Sequence, residues 1–363
     1  MGGQDKAARI MGRDSGCFGG TDPDIGFHKN LCTNIKNRER YIMKKVVKTM
    51  GRIVGILLIV IAVILVLLII KGKIDERRPY LTDNYYEDFI SESSLEMKYS
   101  QRGGFETEYA EFDSDNKNIK TIRVWYPKEL EGTSKTYPMI IIVNASGTRA
   151  LNYKPYFDRL ASWGFVVVGN DDPQTGTGET ASQTLDFMLS LGSDHVLSGR
   201  IDRENIGIVG YSQGGAGALA AVTEYDNGAA YKTIFTGSAA YPILSNNMGW
   251  KYDVAKISIP YFMTAGTGAS DDAGVEDVSR EFAGVAPLVS LIENYNSISG
   301  DQMKIRARAV GAEHEDMLAR TDGYMTVWML YQLYGDEEAG QALIGENAEI
   351  LSNANWQDIE KNQ

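Results

Sequence analysis

Cysteine and histidine are scarce in this chain of 363 residues, which has two of the first and three of the second. Two cysteines, Cys17 and Cys32, cannot build a disulfide framework. Neither residue type clusters at ligand spacing, so no metal and no cofactor is expected, and a zinc enzyme or zinc finger is disfavoured. Positive charge is in deficit, with 36 Lys+Arg against 48 Asp+Glu and a net charge of -12. Nucleic acid needs a basic surface, so no nucleic-acid partner is expected. Internal repeats and low-complexity tracts are absent. What remains is 43% hydrophobic and 23% charged, ordinary for a globular protein and too apolar for a disordered one. The length allows one large domain with something added.

The addition is a single apolar run. Ile53 to Ile70 reads IVGILLIVIAVILVLLII, without one polar side chain. A bilayer core of about 30 Å needs roughly 17–25 such residues in a helix. A buried core helix is rarely apolar on all sides over this length. Before the run stand Arg38, Arg40, Lys44, Lys45, Lys48 and Arg52, opposed only by Glu39. After it, Lys71, Lys73, Arg77 and Arg78 alternate with Asp75, Glu76 and Asp83. The positive excess before the helix favours a cytoplasmic N-terminus and an external C-terminal portion. A cleaved signal peptide is the alternative, but the run is long for one and no small-x-small site follows.

Residues 1–42 are rich in Gly, Asp, Asn and basic residues and carry no helix or strand period. They are expected to be disordered. Met43-Lys44-Lys45 would itself open a signal anchor, so an over-extended translation start is a further expectation. Residues 1–52 hold eleven basic and five acidic side chains, which leaves 25 and 43 for the rest. The portion after the helix is therefore strongly acidic, and it contains no cysteine. Such a portion suits an oxidising compartment.

From Lys71 to about Leu95 the chain is polar and rich in tyrosine, and it is read as a stalk. Beyond it the periods alternate. Glu106–Phe112 and Lys120–Tyr126 read as antiparallel strands. Pro138–Val143 and Phe165–Gly169 are short apolar runs, as strands buried on both faces require, and Ile206–Gly210, Lys232–Thr236, Ile259–Ala265 and Met303–Val310 also read as strands. Helical spacing falls between them at Tyr153–Trp163, Thr180–Leu191, Gln213–Val222 and Ala286–Tyr295, and after them at Thr321–Tyr334. This alternation predicts an α/β fold, a mostly parallel central sheet with helices on both faces. A polar extension begins near Gly335.

Gly210-Tyr-Ser-Gln-Gly214 follows a strand directly and opens a helix. This is G-x-S-x-G in the strand–turn–helix setting of a nucleophile elbow. A chain with 38 glycines meets the bare pattern by chance, so the setting carries the argument. The turn strains the serine backbone, and only missing Cβ atoms let strand and helix approach. The following helix, Gly214-Gly-Ala-Gly-Ala-Leu-Ala-Ala221, is nearly all small residues. Ser212 thus lies at the positive end of a helix, with the Gln213 N–H aimed at a reacting carbonyl. A base is needed, and only His28, His195 and His314 exist. His28 precedes the membrane run. His195 precedes the serine and is read as structural, such as a helix C-terminal contact. His314 follows the last strong strand, where the order nucleophile, acid, histidine places it. The acid belongs after the Ile259–Ala265 strand, where Asp271 and Asp272 are adjacent. One of them should orient the imidazole, and Asp272 is slightly favoured. In the loop Asn144-Ala-Ser-Gly-Thr148, Ser146 or Gly147 can offer a second oxyanion N–H. Gly176-Thr-Gly-Glu-Thr-Ala181 fits a nucleotide motif, but it lies outside the first strand–helix turn.

These residues resemble the α/β-hydrolase superfamily, in particular its dienelactone hydrolase, cutinase-like polyester hydrolase and platelet-activating-factor acetylhydrolase branch. The resemblance spans about Phe105 to Tyr334. Tyr156-Phe-Asp-Arg-Leu-Ala-Ser-Trp-Gly-Phe-Val-Val-Val168 is similar to that branch's R-L-A-S-x-G-F-V-V run. Gly-Tyr-Ser-Gln-Gly-Gly is similar to its G-[HW]-S-M-G-G elbow, and Gly-Ala-Glu-His to its G-A-x-H loop. The resemblance implies Ser212 as nucleophile, His314 as base, Asp271 or Asp272 as acid, and Ser146 and Gln213 as oxyanion donors. Gln213 stands where the branch has Met, Tyr211 where it has His or Trp, and the acid loop is longer.

The chain is thus expected to comprise a disordered cytoplasmic N-terminus (1–42), a signal-anchor transmembrane helix (43–71), a stalk (72–100) and an α/β-hydrolase domain (101–363). The implied activity is cleavage of carboxylic esters outside the cytoplasm, on a small-molecule or lipid-like ester. A non-catalytic module or a peptidase on the same fold is the alternative. Only about twenty residues separate the strands at Thr236 and Ile259, too few for a large lid. An open cleft lined by Tyr211, Gln213 and Tyr241 is expected, suited to a short or exposed ester. N-terminal sequencing of the native protein tests the start at Met43, and a mature terminus near Met1 would refute it.

Overall fold

The computed structural model describes residues 25–75, 80–192, 195–279 and 281–363, with backbone alone for 25–36 and 72–75. Residues 1–24 of the expected disordered segment, with Cys17, lie outside the described part. Helix α1 runs Ile25–Asp75. Helix therefore reaches back over residues 25–42, where no period had been visible. Its portion Asn37–Lys71 has a mean hydropathy of 3.8 in its most apolar window, none of it buried, and is long and apolar enough to cross a membrane. The described residues divide into two units, one ending at Ile74 and one beginning at Asp75.

The second unit is built on a sheet whose strands are β1 (Thr107–Asp113), β2 (Thr121–Pro127), β3 (Tyr137–Val143), β4 (Val166–Asn170), β5 (Ile201–Tyr211), β6 (Thr233–Gly237), β7 (Tyr261–Gly266), β8 (Lys304–Ala309) and β9 (Trp356–Lys361). Their order across the sheet is β1-β2-β4-β3-β5-β6-β7-β8-β9. Strands β3 to β8 are parallel, while β1, β2 and β9 run antiparallel at the edges. The helices include α2 (Ser94–Ser100), α3 (Lys154–Ala161), α4 (Glu179–Leu189), α5 (Gln213–Thr223), α6 (Pro242–Asn247), α7 (Leu288–Ser297), α8 (Met317–Arg320) and α9 (Asp322–Met329). The predicted α/β-hydrolase fold holds. The wholly apolar strands are buried on both faces because successive side chains alternate. From β3, Ile140 and Ile142 pack with Phe157, Leu160, Phe235, Trp328 and Met329 on one face. Met139, Ile141 and Val143 pack with Leu185, Met188, Leu219 and Tyr295 on the other. Each such side chain contributes about 1.5–3 kcal/mol by leaving water.

Two expectations need correction. The polar C-terminal extension ends in β9, which pairs with β8 through Arg306–Glu360 and Arg308–Asp358 ion pairs, at 2.6 Å each. Cross-strand charge pairs replaced the hydrophobic alternation that a strand usually shows. The expected stalk also departs from the structure over residues 80–100. The Tyr80 N–H donates to the Asn152 carbonyl (2.9 Å), Tyr85 and Tyr99 are buried, and Glu96 is fully enclosed. Trp356 Nε1 and Asn353 Nδ2 donate to the Glu96 carboxylate at 2.6 and 2.7 Å. A charge supplied with donors can be buried, and composition does not reveal its partners.

The centre of this attachment is a buried arginine. Arg159 on α3 is 0% exposed and is ion-paired with Asp322 at the start of α9. It also donates to the Tyr99 carbonyl (2.9 Å), to Thr326 Oγ1 (2.8 Å) and to the Tyr85 hydroxyl (3.1 Å). Burial pushes the Asp322 carboxyl up to about 6, against the pull of Arg159. Asp322→Ala would strand the guanidinium without a counter-charge. We expect it to cost about 3–5 kcal/mol of stability, read by chemical denaturation of the purified protein.

Candidate active site

Ser212 occupies the turn between β5 and α5. Its φ of 57° and ψ of -124° lie in a region that side-chain-bearing residues rarely adopt. Such strain costs about 1–3 kcal/mol and persists only where the surroundings enforce it. Here they do. The Ser212 N–H donates to Gly237 on β6 (3.0 Å), and its carbonyl accepts from Gly215 (2.9 Å) and Ala240 (3.3 Å). The turn is closed by backbone contact. A Cβ on Gly210 would meet the Gly214 carbonyl at 2.1 Å, and one on Gly214 would meet the Val143 carbonyl at 2.1 Å.

Two loops at the same edge of the sheet reach this serine. His314 follows β8, and its Nε2 lies 2.8 Å from Ser212 Oγ. Its Nδ1 lies 2.6 Å from Asp271 Oδ1. Asp271, in the loop after β7, is 0% exposed. Its second oxygen accepts from the Gly266 N–H (2.7 Å) and from the Ser238 hydroxyl. Ser238 sits just past β6 at a φ of 48°. Nothing local in the sequence marks it, because its contact with Asp271 spans 33 residues.

Asp272, the slightly favoured acid, points elsewhere. Its carboxylate pairs with Arg308 (2.5 Å) and accepts the Leu288 N–H at the start of α7 (3.3 Å). Adjacent residues in a loop project to opposite sides, so one aspartate faces the imidazole and the other a strand arginine. His195 lies in a turn before β5, with its ring against Phe112 at 4.4 Å and its Nδ1 accepting the Leu197 N–H at 3.2 Å. Burial lowers its pKa.

The oxyanion candidates divide. In the loop after β3, the Ala145 N–H donates to the Tyr153 hydroxyl (3.2 Å) and the Gly147 N–H to Pro173 (2.9 Å). Gly147 is therefore committed, while the exposed Ser146 has an N–H with no acceptor among the described residues. The Gln213 N–H opens α5 and so has no intrahelical acceptor. The Gln213 side chain is buried and donates to Gln174 Oε1 at 3.2 Å.

The tyrosines expected in the cleft are also corrected. Tyr211 is buried, and its hydroxyl bonds Tyr156 and Thr321 in the core, each at 2.9 Å. Alternation along β5 puts the side chain of residue 211 on the same core face as Val209, with Tyr156 and Phe157. Burial raises its pKa. Tyr241 keeps 4% of its surface, with its N–H on the Val285 carbonyl at 3.0 Å.

Residues 90–235 match the family model PETase, described as PET hydrolase-like. That segment includes Ser146, Ser212 and Gln213 but ends before Asp271 and His314. Lipase 1 of Moraxella sp. (strain TA144) is 39% identical over 72 residues, which is 18% of this chain and 21% of the lipase. The chain thus spans about a fifth of that curated relative's length. Over residues 90–235 the chain is thus similar to PET hydrolase-like members of the α/β-hydrolase superfamily. The glycine contacts give a stability test. Gly214→Ala would drive a methyl into the Val143 carbonyl, and we expect a loss of at least about 2 kcal/mol or of soluble protein, measured by thermal unfolding.

Proposed function

We propose that the second unit is a membrane-anchored, extracytoplasmic serine hydrolase that cleaves carboxylic esters. One observation carries this reading: the continuous chain of contacts from Ser212 Oγ through His314 to Asp271, at 2.8 and 2.6 Å. Nucleophile–base and base–carboxylate contacts of this length are the geometric signature of an activated alcohol.

In the proposed mechanism, Ser212 Oγ attacks the ester carbonyl while His314 Nε2 takes its proton. Asp271 fixes the Nδ1–H tautomer and stabilises the imidazolium without itself being protonated. The tetrahedral oxyanion accepts hydrogen bonds from the Gln213 and Ser146 N–H groups. His314 returns the proton to the leaving alkoxide, which departs as the alcohol and leaves an acyl-serine. Water then attacks, giving its proton to His314, and the carboxylic acid leaves as Ser212 is reprotonated. Each oxyanion donor is worth about 3–4 kcal/mol to the transition state. The PET hydrolase-like match and the lipase similarity support an ester over a peptide. The strong acidity disfavours anionic substrates, and the basic residues before the apolar run of α1 support an external catalytic unit.

Labelling with a fluorophosphonate probe and hydrolysis of p-nitrophenyl butyrate test the proposal. Ser212→Ala should abolish both. Asp271→Asn should lower kcat by about 10⁴-fold, because it imposes the wrong imidazole tautomer. Asp272→Asn should leave the chemistry largely intact. Folded protein that resists the probe would instead favour a non-catalytic module.

A further inference from the structure

Asp271 and His314 sit on different loops, one after β7 and one after β8, so their separation depends on how those loops are joined. The residue before each makes the join. Ser270 precedes Asp271, and Glu313 precedes His314. The Ser270 N–H donates to Glu313 Oε2 at 3.0 Å, and the Ser270 hydroxyl donates to the same oxygen. The Ser270 hydroxyl oxygen in turn accepts the His314 main-chain N–H at 2.8 Å. One hydroxyl therefore bridges the Glu313 carboxylate and the His314 backbone.

The surroundings are shaped for this bridge. The Gly268 N–H donates to the Ala312 carbonyl at 2.8 Å, and the Gly311 N–H to Thr267 Oγ1 at 2.7 Å. A Cβ on Gly268 would lie 2.4–2.6 Å from the Glu313 carboxyl group and would displace it from this position. The Glu313 N–H donates to Asp316 Oδ2 at 2.9 Å, which starts the His314–Asp316 turn. The Ser270 hydrogen bonds hold the Glu313 carboxyl below the usual range, so it stays ionised.

We propose that Ser270 and Glu313 are positioning residues, a clasp between the acid and histidine loops that holds the His314 imidazole in reach of both Asp271 and Ser212. This inference rests on the proposed serine mechanism. Neither residue touches the nucleophile, and both act through the placement of the histidine. Misplacement of a catalytic group by about 1 Å can cost a hundredfold in rate.

The test is steady-state hydrolysis of p-nitrophenyl butyrate by the full-length protein and its variants, with thermal unfolding recorded alongside. Glu313→Ala should lower kcat by about 10–100-fold while KM moves less than about twofold. Ser270→Ala should lose a similar factor. The double variant should be no more than about threefold worse than the poorer single one, because both substitutions open the same clasp. Glu313→Gln keeps an acceptor oxygen for the serine and should recover most of the lost kcat. A folded Glu313→Ala protein with normal kcat, a loss confined to KM, or multiplicative losses in the double variant would overturn the clasp. If Glu313→Ala does not fold, Ser270→Ala decides, and a normal kcat there overturns it. Activity surviving in Ser212→Ala would refute the serine mechanism itself. A dead Ser212→Ala beside an intact Glu313→Ala would refute the clasp alone.

Discussion

Close approach of backbone to backbone at one turn governs the arrangement of this molecule. Ser212 is held in a strained conformation because β5, β3 and α5 meet with no Cβ between them at Gly210 and Gly214. The small residues of α5 continue that approach, and Gly215 lies against Ala239 in the segment after β6. The serine is thereby lifted from the sheet edge at the N-terminal end of a helix, where a helix dipole and free N–H groups favour developing negative charge. The other elements bring partners to that point. Strands β7 and β8 end beside it, and their loops deliver a carboxylate and an imidazole.

Polar groups buried far from the serine hold the framework. Arg159 ties α3, α9 and the segment 80–100 into one body, and Glu96 ties α2 to the start of β9. A buried charge with every hydrogen bond supplied gives geometric specificity at small net cost, whereas a broken one is expensive. Tyr211 connects this interior to the elbow, since its hydroxyl bonds Tyr156 and Thr321 while its main chain leads into Ser212. Asp358 and Glu360 on β9 pair with arginines of β8, so the sheet edge nearest the histidine loop is fastened by charge.

The central strands of the parallel sheet, such as β3 and β4, were legible because they are short apolar runs bounded by turns. Ser212 was legible because its glycines are local to it, and His314 because the chain offers so few histidines. The choice between Asp271 and Asp272 was not, since both have the same composition and the same neighbours in sequence. Their difference lies in Ser238, Gly266 and Arg308, which belong to other strands. Tyr211 was misjudged for a related reason: its place beside the serine says nothing about which face of the turn its ring takes. The segment 80–100 looked like a stalk because Glu96 was counted with its solvated charges, and its buried partners Asn353 and Trp356 are 257 and 260 residues away.

By itself, then, the amino-acid order determined the membrane-length helix, the α/β class and the elbow with its serine, because each rests on periods and small residues contiguous along the chain. Only the tertiary structure decided which aspartate meets the imidazole, which loop N–H remains open and which charges are sealed inside. Those outcomes depend on distances between loops remote in sequence, and backbone packing sets such distances where local propensity cannot.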